Sequence, residues 1–211
     1  MMRSMIIIDN FLENPHQLRE AALKQNFPKL DRPQLYPGWD SEHRQIMNGL
    51  DQRMSEIAGE PLVPVENTSH GKFRLSLAGE KGRHSVHIDN VHWTMILYLT
   101  LPEHCQDGTH FFRHKATNTD RAPINAAELA ALGYTDQEEF LENMIYKNTN
   151  DESQWEKIMT VPMRFNRCLF IRPQQYHDAG ISFGTNKEDG RLIYLGAYNH
   201  AMTRNMANPA G

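Results

Sequence analysis

Apolar residues recur at two spacings along this chain, and the element changes where the spacing switches. Ile6-Ile7-Ile8-Asp9-Asn10-Phe11-Leu12 reads as a strand running into a turn. Asn14-Pro15 then opens a helix through about Asn26, with Asn14 as N-cap and Pro15 at the first helical position. Residues 28–39 are proline-rich and predict an irregular loop. Residues 43–58 return to helical spacing, with Ile46, Leu50, Met54 and Ile57 on one side.

From Lys72 the period shortens. Phe73-Arg74-Leu75-Ser76-Leu77 alternates apolar and polar, as a half-buried strand does. A glycine-containing turn at 78–83 leads to strand candidates at 85–89 and 94–101. Asp107-Gly108 turns the chain into another at 109–114. The pattern then breaks. Residues 115–157 carry more acids than bases and include helical stretches at 125–132 and 135–146, separated by Gly133. Strand character returns at 164–171 and 191–198, and 199–211 reads as a polar tail. Short strands between regular turns predict a sandwich, barrel or jelly roll. The expected architecture is one mainly β domain over 1–211, with N-terminal helices and a helical insertion at about 115–157.

Composition changes this picture little. Of 211 residues, 39% are hydrophobic and 23% charged, as in an ordinary soluble globular protein. A net charge of -4 offers no electrostatic footprint for nucleic acid. The apolar run at 5–8 is too short for a signal-peptide core, and no membrane-spanning stretch follows. Cys105 and Cys168 are far apart and form no metal-type pair, so both are expected as free thiols in a cytoplasmic, reducing setting.

The chemistry lies in a few spaced residues. His87-Ile88-Asp89 stands on a strand candidate, where i and i+2 share a face. His87 and Asp89 would project together, with Val86 and Ile88 on the other side. A buried carboxylate is costly unless a partner such as a metal removes the cost. Against this stand the 11 histidines, which make His-x-Asp a common accident, and the turn chemistry of Asp89-Asn90. His177 follows the strand Arg167-Cys168-Leu169-Phe170-Ile171, and Arg191 opens Arg191-Leu192-Ile193-Tyr194-Leu195. The turn at 185–190 lets their segments approach. Two His and one carboxylate are the ligand set of non-haem Fe(II) oxygenase sites. An Arg fork suits a carboxylate, although Arg191 reads equally as a sheet-edge residue paired with an acid.

The ordered set resembles the Fe(II)/2-oxoglutarate-dependent dioxygenases, nearest their prolyl-hydroxylase-like branch. It comprises His87-Ile88-Asp89, the strand Ile96-Leu97-Tyr98-Leu99-Thr100, then Asp107-Gly108-Thr109-His110-Phe111, a distant His177, and Arg191 opening a strand. The opening Ile7-Ile8-Asp9-Asn10-Phe11-Leu12 resembles the family's first strand. No substrate-specific branch fits, which points to a bacterial subfamily without an assigned substrate. The resemblance implies a double-stranded β-helix (jelly roll, cupin-like). It implies Fe(II) held by His87, Asp89 and His177, and 2-oxoglutarate as cosubstrate with O2. It implies that Arg191 receives the far carboxylate, with Tyr98 as a second contact. The implied reaction hydroxylates a small molecule or protein side chain and yields succinate and CO2. Asp89, in place of Gly or Ala, favours hydroxylation over halogenation. The alternative is a cupin-like module that binds metal or 2-oxoglutarate without turnover.

Two departures bear on the cosubstrate contacts: Leu77 stands where the branch often has Tyr, and Asp107-Gly108 where it has Gly-Gly. His84, His92, His110 and His114 read mainly as packing or surface histidines, and Trp93 as core with a cleft wall as the other option. Arg74, Arg113 and Arg172 are candidates for an anionic substrate, Arg172 reading better as a solvated charge. The insertion is expected either as a lid over the barrel mouth or as an outer packing element or homodimer contact.

Overall fold

In the computed structural model, residues 3–31 and 34–202 are described. Two antiparallel sheets carry the architecture. The chain opens with β1 (Met5–Ile8) and helix α1 (Pro15–Leu23). Pro15 sits at the helix start as expected, but the Asn14 side chain makes no capping bond. A long loop leads to β2 (Trp39–Asp40), α2 (Leu50–Ala58), β3 (Leu62–Pro64) and β4 (Lys72–Ser76). The expected helix at 43–58 forms only in its second half. Gly49 takes φ +77° just before α2, and Gln45 N–H bonds Gly71 O at 2.7 Å instead of an intrahelical carbonyl. Ile46, expected on the buried side, is therefore 60% exposed, while Leu50 and Met54 are buried.

The strands β5 (Trp93–Tyr98), β6 (Gly108–His114), β7 (Trp155–Pro162), β8 (Cys168–Ile171), β9 (His177–Asp178) and β10 (Arg191–His200) follow. The polar tail starts later than expected, because Asn199 and His200 belong to β10; beyond 202 it lies outside the described residues. The large sheet runs β1-β8-β5-β10-β4-β2, with β3 paired to β10. The small sheet runs β7-β6-β9.

Period-2 alternation assigns each face. Trp93, Met95 and Leu97 of β5 and Leu192, Tyr194 and Tyr198 of β10 pack with Leu18, Ala22, Leu50 and Met54 of the helices. The intervening Ile96, Tyr98 and Ile193 pack instead with Phe111 and Val161 of the small sheet. The site lies between the sheets, on this second face.

The insertion carries α3 (Ala126–Ala131) and α4 (Gln137–Phe140), the latter continuing into a wide turn of helix at Leu141–Tyr146. Its Leu129, Phe140, Met144 and Ile145 pack on Val86, Phe112, Trp155 and Tyr176. His177 pairs in register with Phe111, which belongs to the inter-sheet core, so Tyr176 on the next position points to the outside. The insertion therefore covers the outer face of the small sheet, and none of its residues lines the inter-sheet cavity. Its helices thus pack on the outer face of the small sheet, while Thr149 at its end bonds Val86, the neighbour of His87, at 3.1 Å, so the insertion also stands beside the site. No helix among the described residues is long and apolar enough to cross a membrane.

His110 fastens the small sheet to the segment after β9. Its Nε2 meets Asp107 Oδ1 at 2.7 Å and its Nδ1 meets Asp178 Oδ1 at 3.0 Å. Asp107 Oδ2 also accepts Ile181 N–H at 2.9 Å, and Asp178 Oδ1 accepts Gly180 N–H at 2.7 Å. Gly180, at φ +72°, is obligatory here, because a Cβ would lie 1.9 Å from Gly108 O. With a carboxylate at each ring nitrogen, His110 is held as the cation. The bond to Asp178 raises its pKa above the ordinary 6.5, burial opposes, and Asp107 adds to the rise. A raised folded-state pKa gives stability that is fully present below the unfolded value and fades as pH climbs through the folded one. We therefore expect His110→Gln to cost most stability near pH 5.5 and progressively less toward pH 9, measured by urea unfolding of parent and variant. A cost independent of pH would mean that the cation is not what holds the clamp.

Candidate metal centre

A cavity of about 360 Å³ lies between the sheets, with Thr94 and Ile96 of β5 and Arg191, Ile193 and Leu195 of β10 along one wall. His87, Asp89 and His177 line the same cavity. The strand expected at 85–89 does not form. A single bridge joins His87 to His177, with His87 N–H to His177 O at 2.9 Å and His177 N–H to His87 O at 3.1 Å. Two residues later the Asp89 amide bonds Pro173 O at 3.1 Å, which bends the segment away from the ladder. The i, i+2 relation still delivers both side chains to the cavity, through one rung and a bend.

Each histidine is oriented by the carbonyl two residues before it. His87 Nδ1 is 2.7 Å from Ser85 O, and His177 Nδ1 is 2.8 Å from Gln175 O. A carbonyl only accepts, so both Nδ1 atoms carry the proton and both Nε2 atoms present a lone pair. Those atoms face the carboxylate: His87 Nε2 is 3.9 Å from Asp89 Oδ1 and His177 Nε2 is 3.7 Å from Asp89 Oδ2. The three ligand atoms lie within 4.8 Å of one another, a spacing suited to one small cation at their centre.

Protonation suits such a cation. Burial, with His177 alongside, pushes the His87 pKa down to about 4, so the ring is neutral near pH 7. Burial alone would raise the Asp89 carboxyl. The His177 and His87 rings and hydrogen bonds from Thr94 Oγ1 at 2.8 Å and Tyr36 Oη at 3.3 Å hold it below its usual value. The neutral His87 ring and the ionised Asp89 carboxylate are thus in their metal-binding forms, and the His177 ring turns its Nε2 toward the same carboxylate.

Arg191 opens β10 within the same cavity and is only 2% exposed. Burial lowers its pKa, yet a guanidinium stays charged at any ordinary pH. Among the described residues, no hydrogen bond or salt bridge engages its side chain. The expected sheet-edge ion pair is not met: β10 is flanked by β4 and β5, and no carboxylate among the described residues is at salt-bridge distance, although Asp178 and Asp107 act on the cation from further off. Tyr98 is placed differently. It is fully buried in the inter-sheet core, does not line the cavity, and its hydroxyl meets Thr109 Oγ1 at 2.7 Å.

The remaining candidates sort themselves by partner. Arg74 lines the cavity but is bound to Asp40 at 2.6 Å. Arg113 pairs with Glu156 at the surface. Arg172 is no solvated charge: it bonds Glu60 at 2.6 Å and lies 4.2 Å over the Trp93 ring. Trp93 itself belongs to the helix-side core and not to a cleft. His84 packs on Tyr146, His92 meets Glu60 and His114 packs on Trp155, all away from the triad. Sequence reasoning missed Tyr36, which stacks 4.2 Å from the His87 ring besides donating to Asp89. It sits in an irregular loop, where periodicity carries no signal.

Solved structures share this fold. One is a prolyl hydroxylase from Trichoplax adhaerens in complex with a hypoxia-inducible-factor peptide fragment. It aligns over 97% of this chain and 87% of its own, at 13% identity and a TM-score of 0.50. Another is HygX from Streptomyces hygroscopicus with nickel, 2-oxoglutarate and hygromycin B bound, over 95% of this chain and 84% of its own, at 10% identity and a TM-score of 0.51. At such identities the likeness shows a shared fold. No curated protein matches the sequence at a significant level. One family model does match, over residues 2–194, and by that match the chain belongs to DUF6445, a family of unknown function.

Proposed function

We propose that this chain is an Fe(II)/2-oxoglutarate-dependent dioxygenase on a double-stranded β-helix, hydroxylating a small molecule or a protein side chain. One observation carries the reading: a His, Asp, His set and a buried Arg191 with no hydrogen bond or salt bridge among the described residues line one cavity. The donor chemistry fits Fe(II), for which two imidazoles and one carboxylate leave open positions. The guanidinium fits a dicarboxylate, because a buried cation with no directly hydrogen-bonded carboxylate is costly and an incoming carboxylate offsets that cost. The bound nickel and 2-oxoglutarate of HygX support the same pairing of groups on this fold.

In this reading His87, Asp89 and His177 hold the iron, and Ser85 O and Gln175 O hold the rings in the right tautomer. Arg191 binds the far carboxylate of 2-oxoglutarate and so orients its other end toward the triad. Ile96, Ile193 and Leu195 along the wall keep that end of the cavity apolar, which strengthens the Arg191 contact by excluding water. Bound iron, 2-oxoglutarate and O2 together supply decarboxylation to succinate and CO2, coupled to oxidation of a substrate C–H bond. Tyr98, bonded to Thr109 behind the wall, has no part in this reading.

His177→Ala should lower metal affinity sharply, since two ligands do not fix a facial site. Metal analysis after loading with Fe(II) checks this, and unchanged content would sink the ligand assignment. Arg191→Ala should weaken 2-oxoglutarate binding on the order of a hundredfold, at about 1.4 kcal/mol per tenfold, with metal binding retained. Arg191→Lys keeps the charge without the fork and should fall between. Titration in the presence of Fe(II) reads both, and a tight Arg191→Ala would place the carboxylate elsewhere. Succinate formation without added substrate separates an enzyme from a module that only binds.

A further inference from the structure

Tyr36 belongs to no regular element, yet its position is fixed from every side. Gln34 O accepts from Arg83 N–H and Leu35 O from His84 N–H, both at 2.9 Å, while Pro37 O accepts from Ser76 Oγ at 3.0 Å. Gly82 permits this approach: a Cβ there would lie 2.5 Å from Tyr36 Cα. The Tyr36 ring lies between two groups, with the His87 ring 4.2 Å away and the Arg74 guanidinium 5.7 Å from the ring centre. Arg74 is itself tied to Asp40 at 2.6 Å and to Ser69 Oγ at 3.2 Å. The phenol hydroxyl has one hydrogen-bond partner, Asp89 Oδ1, at 3.3 Å.

The two oxygens of Asp89 are thereby treated alike. Oδ2 accepts from Thr94 on β5 and lies toward His177 Nε2; Oδ1 accepts from Tyr36 and lies toward His87 Nε2. An ionised carboxylate oxygen has two acceptor sites, so one bond to a hydroxyl leaves the other lone pair free. The two oxygens turn together about the last bond, so a second hydroxyl on Oδ1 narrows the range of carboxylate orientations further than Thr94 on Oδ2 does by itself.

We infer that Tyr36 is a positioning residue for the metal centre, fixing the Asp89 carboxylate through its hydroxyl and the His87 ring through its face. The inference rests on the metal reading proposed above and adds a member that the ligand pattern does not contain.

The test uses Mn(II) alone as probe, with no cosubstrate and no turnover. Tyr36→Phe keeps the ring and removes the donor. It should weaken Mn(II) binding about tenfold, at the lower end of what losing an outer partner of a metal ligand costs. Tyr36→Ala removes ring and donor and should weaken it further. The absorption spectrum of the Co(II)-loaded protein should change in both variants, because the Asp89 geometry changes, while urea unfolding of metal-free Tyr36→Phe should match the parent. A parent that binds Mn(II) and a Tyr36→Phe variant that binds it equally well, with the same Co(II) spectrum, overturn this inference alone. A parent that takes up neither ion overturns the metal reading and this inference with it.

Discussion

The arrangement at the site hangs on one pair of backbone hydrogen bonds, those between His87 and His177. Residues 85–89 have no strand of their own, so this rung is their one ladder contact with the segment that carries His177. The rung brings the ring centres to 4.4 Å. On its far side the same segment is held by Thr149, through Val86 N–H to Thr149 O at 3.1 Å and Thr149 Oγ1 to Val86 O at 2.7 Å. The insertion thus shapes the site without entering it, as the neighbour that the ligand-bearing segment lacks.

Charge is distributed with the same economy. Arg74, Arg167 and Arg172 each have a carboxylate at 2.6 Å and serve as ties between elements. Arg74 and Arg191 both line the cavity, but only Arg191, at the first residue of β10, has no carboxylate at that distance. That difference is what the proposed anion at Arg191 rests on. His110 shows the converse, a cation doubly matched and therefore a fastener.

How much of this was legible in the sequence depended on what each residue does locally. β4, β5, β6, β8 and β10 announce themselves by alternation or by short apolar runs. The triad and Arg191 are legible because few residue types can serve there and their order along the chain is distinctive. The expected strand at 85–89 failed because Pro173 O, a partner distant in sequence, takes the Asp89 amide. The expected helix at 43–49 failed because a glycine conformation and a contact to Gly71 outweighed the apolar spacing. β7 was hidden: Ile158 and Met159 on this edge strand are exposed, and its bulge opposite Phe111 and Phe112 disturbs the alternation. Tyr36 and the outward placement of the insertion follow from tertiary packing, to which local pattern is blind.

The single rung at His87 also bears on how the molecule opens. A ladder of many rungs gives way as a unit, whereas a segment tied by one rung on each side can detach while the sheets persist. Amide exchange at Val86 and His87 then reports a local event of low free energy, well below global unfolding. A cation gripped at once by His87, Asp89 and His177 would tie that segment to β9 a second time, and by linkage its binding would appear as slowed exchange there before any gain in overall stability.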